Sequence, residues 1–97
     1  MYRIIDDRAS GKTSRLMLLA KENNAVFVSL NPRAMEAKAH AYGIIGINFM
    51  DYYTFLTSKG DDIGAYVIDE LEVFAQYAAQ MYAGKGDMVG YTLSNED

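Results

Sequence analysis

Three consecutive residues, Gly11, Lys12 and Thr13, have the types and the order that hold a phosphate group. The glycine lets the backbone approach the anion, the lysine reaches its outer oxygens, and the threonine hydroxyl can coordinate Mg2+. An apolar run precedes this loop and a helical pattern follows it. A helix that begins here directs its free N–H groups and its positive dipole end at the anion. The residues that we predict to bind phosphate are Arg8, Ala9, Ser10, Gly11, Lys12 and Thr13.

The start of the same loop departs from the usual phosphate-binding pattern. The pattern G-x-x-x-x-G-K-[ST] has a glycine where this chain has Asp6, and Asp7 follows it. Two carboxylates beside a triphosphate repel it unless a cation or Arg8 compensates their charge. The sequence therefore supports the shape of the loop more strongly than it supports tight nucleotide binding.

A second group of residues that could do chemistry is Asp69 and Glu70, which follow the apolar run Tyr66-Val67-Ile68. Asp69 would hold Mg2+ through water opposite Thr13, and Glu70 would orient or deprotonate an attacking water. The purely structural alternative is that Asp69 caps the next helix and that Glu70 lies in its first turn. Because two such motifs occur in the right order, each after a predicted strand, we favour the functional interpretation.

Alternating strand and helix patterns predict one α/β domain over residues 1–97, with three layers and a mostly parallel five-stranded sheet flanked by helices. The predicted strands are Met1–Ile5, Ala25–Leu30, Ile44–Phe49, Ala65–Asp69 and Met88–Leu93. The predicted helices cover residues 11–23, 32–42, 52–56 and 70–82, with Asn31 and Asp51 as N-caps. Ligands bind at the carboxyl ends of parallel strands, which is where the first loop and Asp69 both fall.

The composition is that of an ordinary globular domain, with 51% hydrophobic and 23% charged residues. The chain contains no cysteine, which excludes disulfides and thiolate metal sites. No apolar window reaches the roughly 20 residues that span a membrane, and we find no secretory signal pattern. We therefore expect a cytoplasmic protein. The net charge of −4 opposes broad nucleic-acid binding.

The two motifs together resemble those of the P-loop NTPases, and the resemblance covers nearly the whole chain. It is greatest to the first half of a helicase- or terminase-type motor core. The similar segments are Arg8–Thr13, Val26–Asn31, Tyr53–Leu56, Gly90–Ser94 and the Walker B-like Tyr66–Glu70. The resemblance implies that ATP and Mg2+ are the cofactors, that Glu70 is catalytic, and that Ser94 or Asn95 senses the γ-phosphate. It also implies a small protein of the kind found on phages.

Departures from that family leave other functions open. All four arginines precede the acidic strand, so we expect hydrolysis to be slow without an arginine from a neighbouring copy. The alternative is a degenerate fold that acts as a non-enzymatic interaction module, binding a second copy or a larger protein through exposed strand edges. A third hypothesis is single-stranded nucleic-acid binding through Arg8, Arg33 and the pair Tyr52-Tyr53, which the acidic charge opposes.

Overall fold

The computed structural model describes residues 11–58, 63–84, 88–90 and 92, and these form an α/β structure. Four helices alternate with three strands along the described chain. In order, they are α1 (Lys12–Glu22), β1 (Val26–Ser29), α2 (Pro32–Ala41), β2 (Phe49–Asp51), α3 (Tyr52–Thr57), β3 (Tyr66–Ile68) and α4 (Leu71–Ala83). Within this described part, no helix is both long enough and apolar enough to cross a membrane.

The three strands form a parallel sheet in the order β2-β1-β3. Phe27 of β1 pairs with Phe49 of β2 on one side and with Val67 of β3 on the other. Because all three strands run in one direction, their carboxyl ends lie along a single edge of the sheet. The candidate functional residues that follow β3 therefore lie near the end of β1.

The prediction of a five-stranded sheet is wrong, because the described residues form three strands. The first predicted strand, Met1–Ile5, lies outside the described residues. Of the predicted strand Met88–Leu93, residues 88–90 and 92 are described and none is in a strand. Val89 there is fully exposed, so its β-branched side chain has no packed surface against which a strand could form.

The third predicted strand, Ile44–Phe49, is also displaced, since β2 begins only at Phe49. Gly46 explains the shift, because its φ of 86° lies in the left-handed region and interrupts an extended backbone. The predicted strands Ala25–Leu30 and Ala65–Asp69 contain β1 and β3, and the structure shortens both at their ends.

One core joins α1, α2 and the central strand. Its buried members are Met17, Ala20, Ala25, Phe27, Ala39 and Ile44. The Ala25 N–H donates to the Ala20 carbonyl at 2.8 Å, which closes the short turn between α1 and β1. This tight turn reverses the chain, so that α1 runs antiparallel to the strands and its first residue lies at their carboxyl edge.

The two predicted N-caps are confirmed. The Asn31 side chain accepts a hydrogen bond from the Ala34 N–H at 3.2 Å, and Pro32 is the first residue of α2. The Asp51 side chain accepts from the Thr54 N–H at 2.6 Å and so begins α3 directly after β2. Each cap satisfies an amide that has no partner inside its own helix, which fixes where both helices leave the sheet.

Candidate functional site

The described part of the predicted phosphate-binding segment begins at a left-handed glycine that leads into α1. Gly11 has a φ of 76° and is the N-cap of α1, and its carbonyl accepts hydrogen bonds from the Arg15 N–H and the Ser14 hydroxyl. Any other L-residue would be strained at this φ. Because glycine has no side chain, Gly11 makes no side-chain capping bond to the first amides of the helix. Lys12 and Thr13 are the first two residues of α1.

The acidic pair follows β3 directly and does not cap the next helix. The Asp69 N–H donates to the Val28 carbonyl at 2.9 Å, which continues the ladder one step beyond the strand. Glu70 is the N-cap of α4 but makes no side-chain capping bond, so the interpretation of Asp69 as a helix cap is wrong. The φ of Glu70 is 57°, which is an uncommon conformation for a residue other than glycine. Neither carboxylate therefore serves to start α4.

An ion pair brings the two motifs together. The Lys12 Nζ lies 3.6 Å from the Glu70 Oε1, and the two side chains are 29% and 40% exposed. An ion pair that is this accessible to water contributes little to stability. Its significance is its position, because it places the lysine of the predicted phosphate-binding segment at the carboxyl end of β3.

The charges around Lys12 are predominantly negative. Burial, and then the negative charge of Glu70, raises the pKa of Asp69, whereas Lys12 and Lys38 lower it by a smaller amount. A hydrogen bond from its own backbone lowers the pKa of Glu72, so this third carboxylate stays ionised near the pair. An anionic ligand that approached Lys12 would meet three acidic side chains unless a cation came with it.

Tyr52 supports the acidic pair from beneath. Its side chain is 1% exposed, and its hydroxyl donates to the Asp69 carbonyl at 2.7 Å and, more weakly, to the Glu70 carbonyl at 3.4 Å. Burial and then the negative charge of Asp69 raise the pKa of Tyr52 to about 12, so the hydroxyl keeps its proton. Its ring packs edge-on against Phe74 and Tyr77 of α4. The hydroxyl therefore fixes the backbone that carries both carboxylates.

This supporting role of Tyr52 is one that the sequence did not reveal. A tyrosine directly after an N-cap carries no spacing signal that links it to an acid 17 residues further on. Because its ring is enclosed, Tyr52 cannot stack on a nucleotide base, which removes it from the predicted stacking pair Tyr52-Tyr53. Tyr53 is 58% exposed.

Five of the predicted site residues lie in the described part of the chain: Gly11, Lys12, Thr13, Asp69 and Glu70. The structure brings Lys12 next to Glu70 and places half-buried Thr13 in the first turn of α1 beside Lys12. Four further predicted residues lie outside the described ranges: Arg8, Ala9, Ser10 and Ser94. Among the residues that are described, no group of three or more His, Asp or Glu side chains could hold a metal ion.

Comparison with protein-family models, with curated proteins and with solved structures found no match to this chain.

Replacing Tyr52 by phenylalanine should lower the free energy of unfolding by about 1 kcal/mol, because the partly buried bond to the Asp69 carbonyl is lost while the ring packing is kept. Urea denaturation followed by circular dichroism measures the change. The matched control is Tyr53→Phe, which alters an exposed ring and should shift stability by no more than about 0.5 kcal/mol. Equal effects of the two variants would contradict the supporting role.

Replacing Asp69 by asparagine should stabilise the fold at about pH 7, because the raised pKa means that the folded state disfavours the charged carboxylate. The folded state prefers the neutral carboxyl of Asp69. This preference favours folding fully below the ordinary pKa of 3.8, where the carboxyl is protonated, and its contribution is lost as the pH rises through the raised pKa of the folded state. The gain from Asp69→Asn should therefore vanish at about pH 3. Denaturation at both pH values tests this, with Asp51→Asn as a control because asparagine is an equally good N-cap. A pH-independent gain would show that charge is not its cause.

Proposed function

We propose that this protein binds ATP together with Mg2+ where the first turn of α1 meets the carboxyl end of β3. The observation that carries the proposal is the contact of the Lys12 Nζ with the Glu70 Oε1 at 3.6 Å. This contact brings the start of α1, Gly11-Lys12-Thr13, next to the acidic pair that follows β3. The first group suits a phosphate and the second suits a metal ion. The carboxyl edge of a parallel sheet is also where such ligands bind.

Each residue has a definite task in this proposal. Lys12 contacts the outer phosphate oxygens, while the first amides of α1, to which Gly11 makes no side-chain capping bond, donate to the same phosphates. Thr13 and Asp69 supply hard oxygen ligands, and Mg2+ commonly takes only one or two carboxylates besides phosphates and water. The lack of a larger acidic cage among the described residues is therefore compatible with this cation.

The cation is essential to the proposal because of the local charge. Lys12 contacts Glu70 as a positive side chain, while Asp69 and Glu72 add further negative charge. Mg2+ held by Thr13 and Asp69 would supply positive charge that offsets the charge of the phosphates. We therefore expect that ATP alone binds weakly and that ATP with Mg2+ binds more strongly.

Hydrolysis would depend on Glu70, which would accept a proton from the attacking water or orient it. Its backbone is held by the Tyr52 hydroxyl and by the first hydrogen bond of α4, from the Phe74 N–H to the Glu70 carbonyl at 3.0 Å. We expect turnover to be slow, because every arginine in the sequence precedes the acidic strand. A second copy of the chain would be the source of a charge-stabilising arginine.

Removal of the Lys12 ammonium should weaken the binding of ATP with Mg2+ by about tenfold to a hundredfold, the usual loss for a hydrogen bond to a charged group. Isothermal titration calorimetry of wild-type protein and Lys12→Ala measures this, with and without Mg2+. The matched control is Lys21→Ala, which removes a lysine from the opposite end of α1 and should keep wild-type affinity. Equal affinity in wild-type protein and Lys12→Ala would refute the proposed site.

Glu70→Gln should retain the binding of ATP with Mg2+ and abolish phosphate release, because glutamine keeps the shape of the side chain but cannot accept a proton from water. Loss of the exposed ion pair with Lys12 should cost little. A coupled phosphate assay at several protein concentrations measures turnover and also reveals any contribution from a second copy. Unchanged turnover in Glu70→Gln would exclude this residue as the base.

The second candidate function is a non-enzymatic interaction module that binds a further copy or a larger protein. The observation in its favour is the acidic environment of Lys12, whose ammonium is already paired with Glu70. This candidate predicts no change in melting temperature at millimolar ATP and Mg2+, whereas nucleotide binding must raise it. A cytoplasmic location, where ATP is abundant, accompanies the first candidate.

A further inference from the structure

Ser29 ends the central strand with a buried hydroxyl that has no partner in the described part of the chain. The residue is 1% exposed, and among the described residues its Oγ has no hydrogen-bond partner. A buried hydroxyl that loses water without gaining a replacement bond destabilises the fold, and native proteins satisfy most such groups. An unpaired serine in this position therefore requires a physical explanation.

The hydroxyl lies on the same edge of the sheet as the candidate site. Ser29 pairs in register with Asp51 of β2, and Val28 pairs with Ile68 of β3. One step further along the strands, the Asp69 N–H donates to the Val28 carbonyl, which brings the acidic pair level with Ser29. Ser29 is thus flanked along this edge by the ends of both neighbouring strands.

Side-chain alternation places Ser29 on the face of the sheet that α1 covers. Phe27, two residues earlier on that face, packs in one cluster with Met17 and Ala20 of α1. Two strand residues span about 6.6 Å, which corresponds to about four residues of a helix. Because α1 runs antiparallel to β1, a step of that length from Met17 leads to Thr13, in the first turn of the helix.

We infer that Ser29 is a phosphate-binding residue whose hydroxyl donates a hydrogen bond to a phosphate oxygen of the nucleotide. This inference rests on the proposed function. A neutral donor suits an edge that Asp69 and Glu70 already make negative, because it offers a proton without attracting those carboxylates into an ion pair. Binding would give the unpaired hydroxyl a charge-assisted hydrogen bond to the phosphate. The group that destabilises the free protein would therefore strengthen the binding of the nucleotide.

The test is a pair of measurements on Ser29→Ala, namely thermal unfolding without ligand and calorimetric titration with ATP and Mg2+. Loss of the unpaired hydroxyl should raise the melting temperature by about 4–8 °C and weaken ATP binding by about tenfold or more. The control is Ser58→Ala, because the Ser58 hydroxyl has a partner, the Thr54 carbonyl at 2.6 Å, at the far end of α3. That variant should keep wild-type affinity and should not gain stability.

Ser29→Cys provides a second variant, because cysteine has a side chain of similar shape to serine but its thiol is only a weak hydrogen-bond donor. It should also bind ATP more weakly than wild-type protein does. Wild-type affinity in Ser29→Ala would overturn the inference, and so would a fall in its ligand-free melting temperature, since that would reveal a structural hydrogen bond. Failure of the wild-type protein itself to bind ATP with Mg2+ would instead overturn the proposed function.

Discussion

Parallel pairing of β1 with both of its neighbours places the candidate functional residues at one edge of the sheet. The carboxyl ends of parallel strands coincide, so Ser29, the Asp51 cap and Asp69 all lie along the same line. The tight turn from α1 into β1 then returns the start of that helix to this edge, where Lys12 meets Glu70. An antiparallel β3 would place its acidic end at the opposite edge, away from the lysine.

Several features that weaken the fold occur together at this edge. Burial raises the pKa of Asp69, Glu70 has a left-handed backbone, and the Ser29 hydroxyl is buried with no partner among the described residues. Each of these disfavours the folded state, and such features accumulate where a protein is organised for a ligand. At the same edge, Asp51 shows the opposite behaviour, because its side chain satisfies an exposed amide of α3 with a good capping bond.

The aromatic packing around Tyr52 explains how a short helix can hold this edge in place. α3 has only six residues, too few to be stable alone, but it begins at a strong N-cap and buries Tyr52 against α4. Phe55 extends the same contact to Phe74 and Tyr66. Through the bond from the Tyr52 hydroxyl to the Asp69 carbonyl, this packing sets the position of the acidic pair.

The sequence by itself determined the helix starts and the positions of two strands, which depend on residues close together in the chain. The order Asn31-Pro32 fixed the start of α2, Asp51 fixed the start of α3, and the apolar runs located β1 and β3, because capping bonds and hydrophobic patterns act within a few residues. The sequence also identified Lys12 and Glu70 as candidates. The predicted alternation of strands and helices already placed both motifs at the carboxyl ends of strands. Only the tertiary structure showed that Lys12 contacts Glu70, that the described sheet has three strands, and that Tyr52 and Ser29 belong to the same edge. Strand pairing, burial and an unpaired hydroxyl all depend on groups distant in the chain, and no spacing along the sequence encodes those distances.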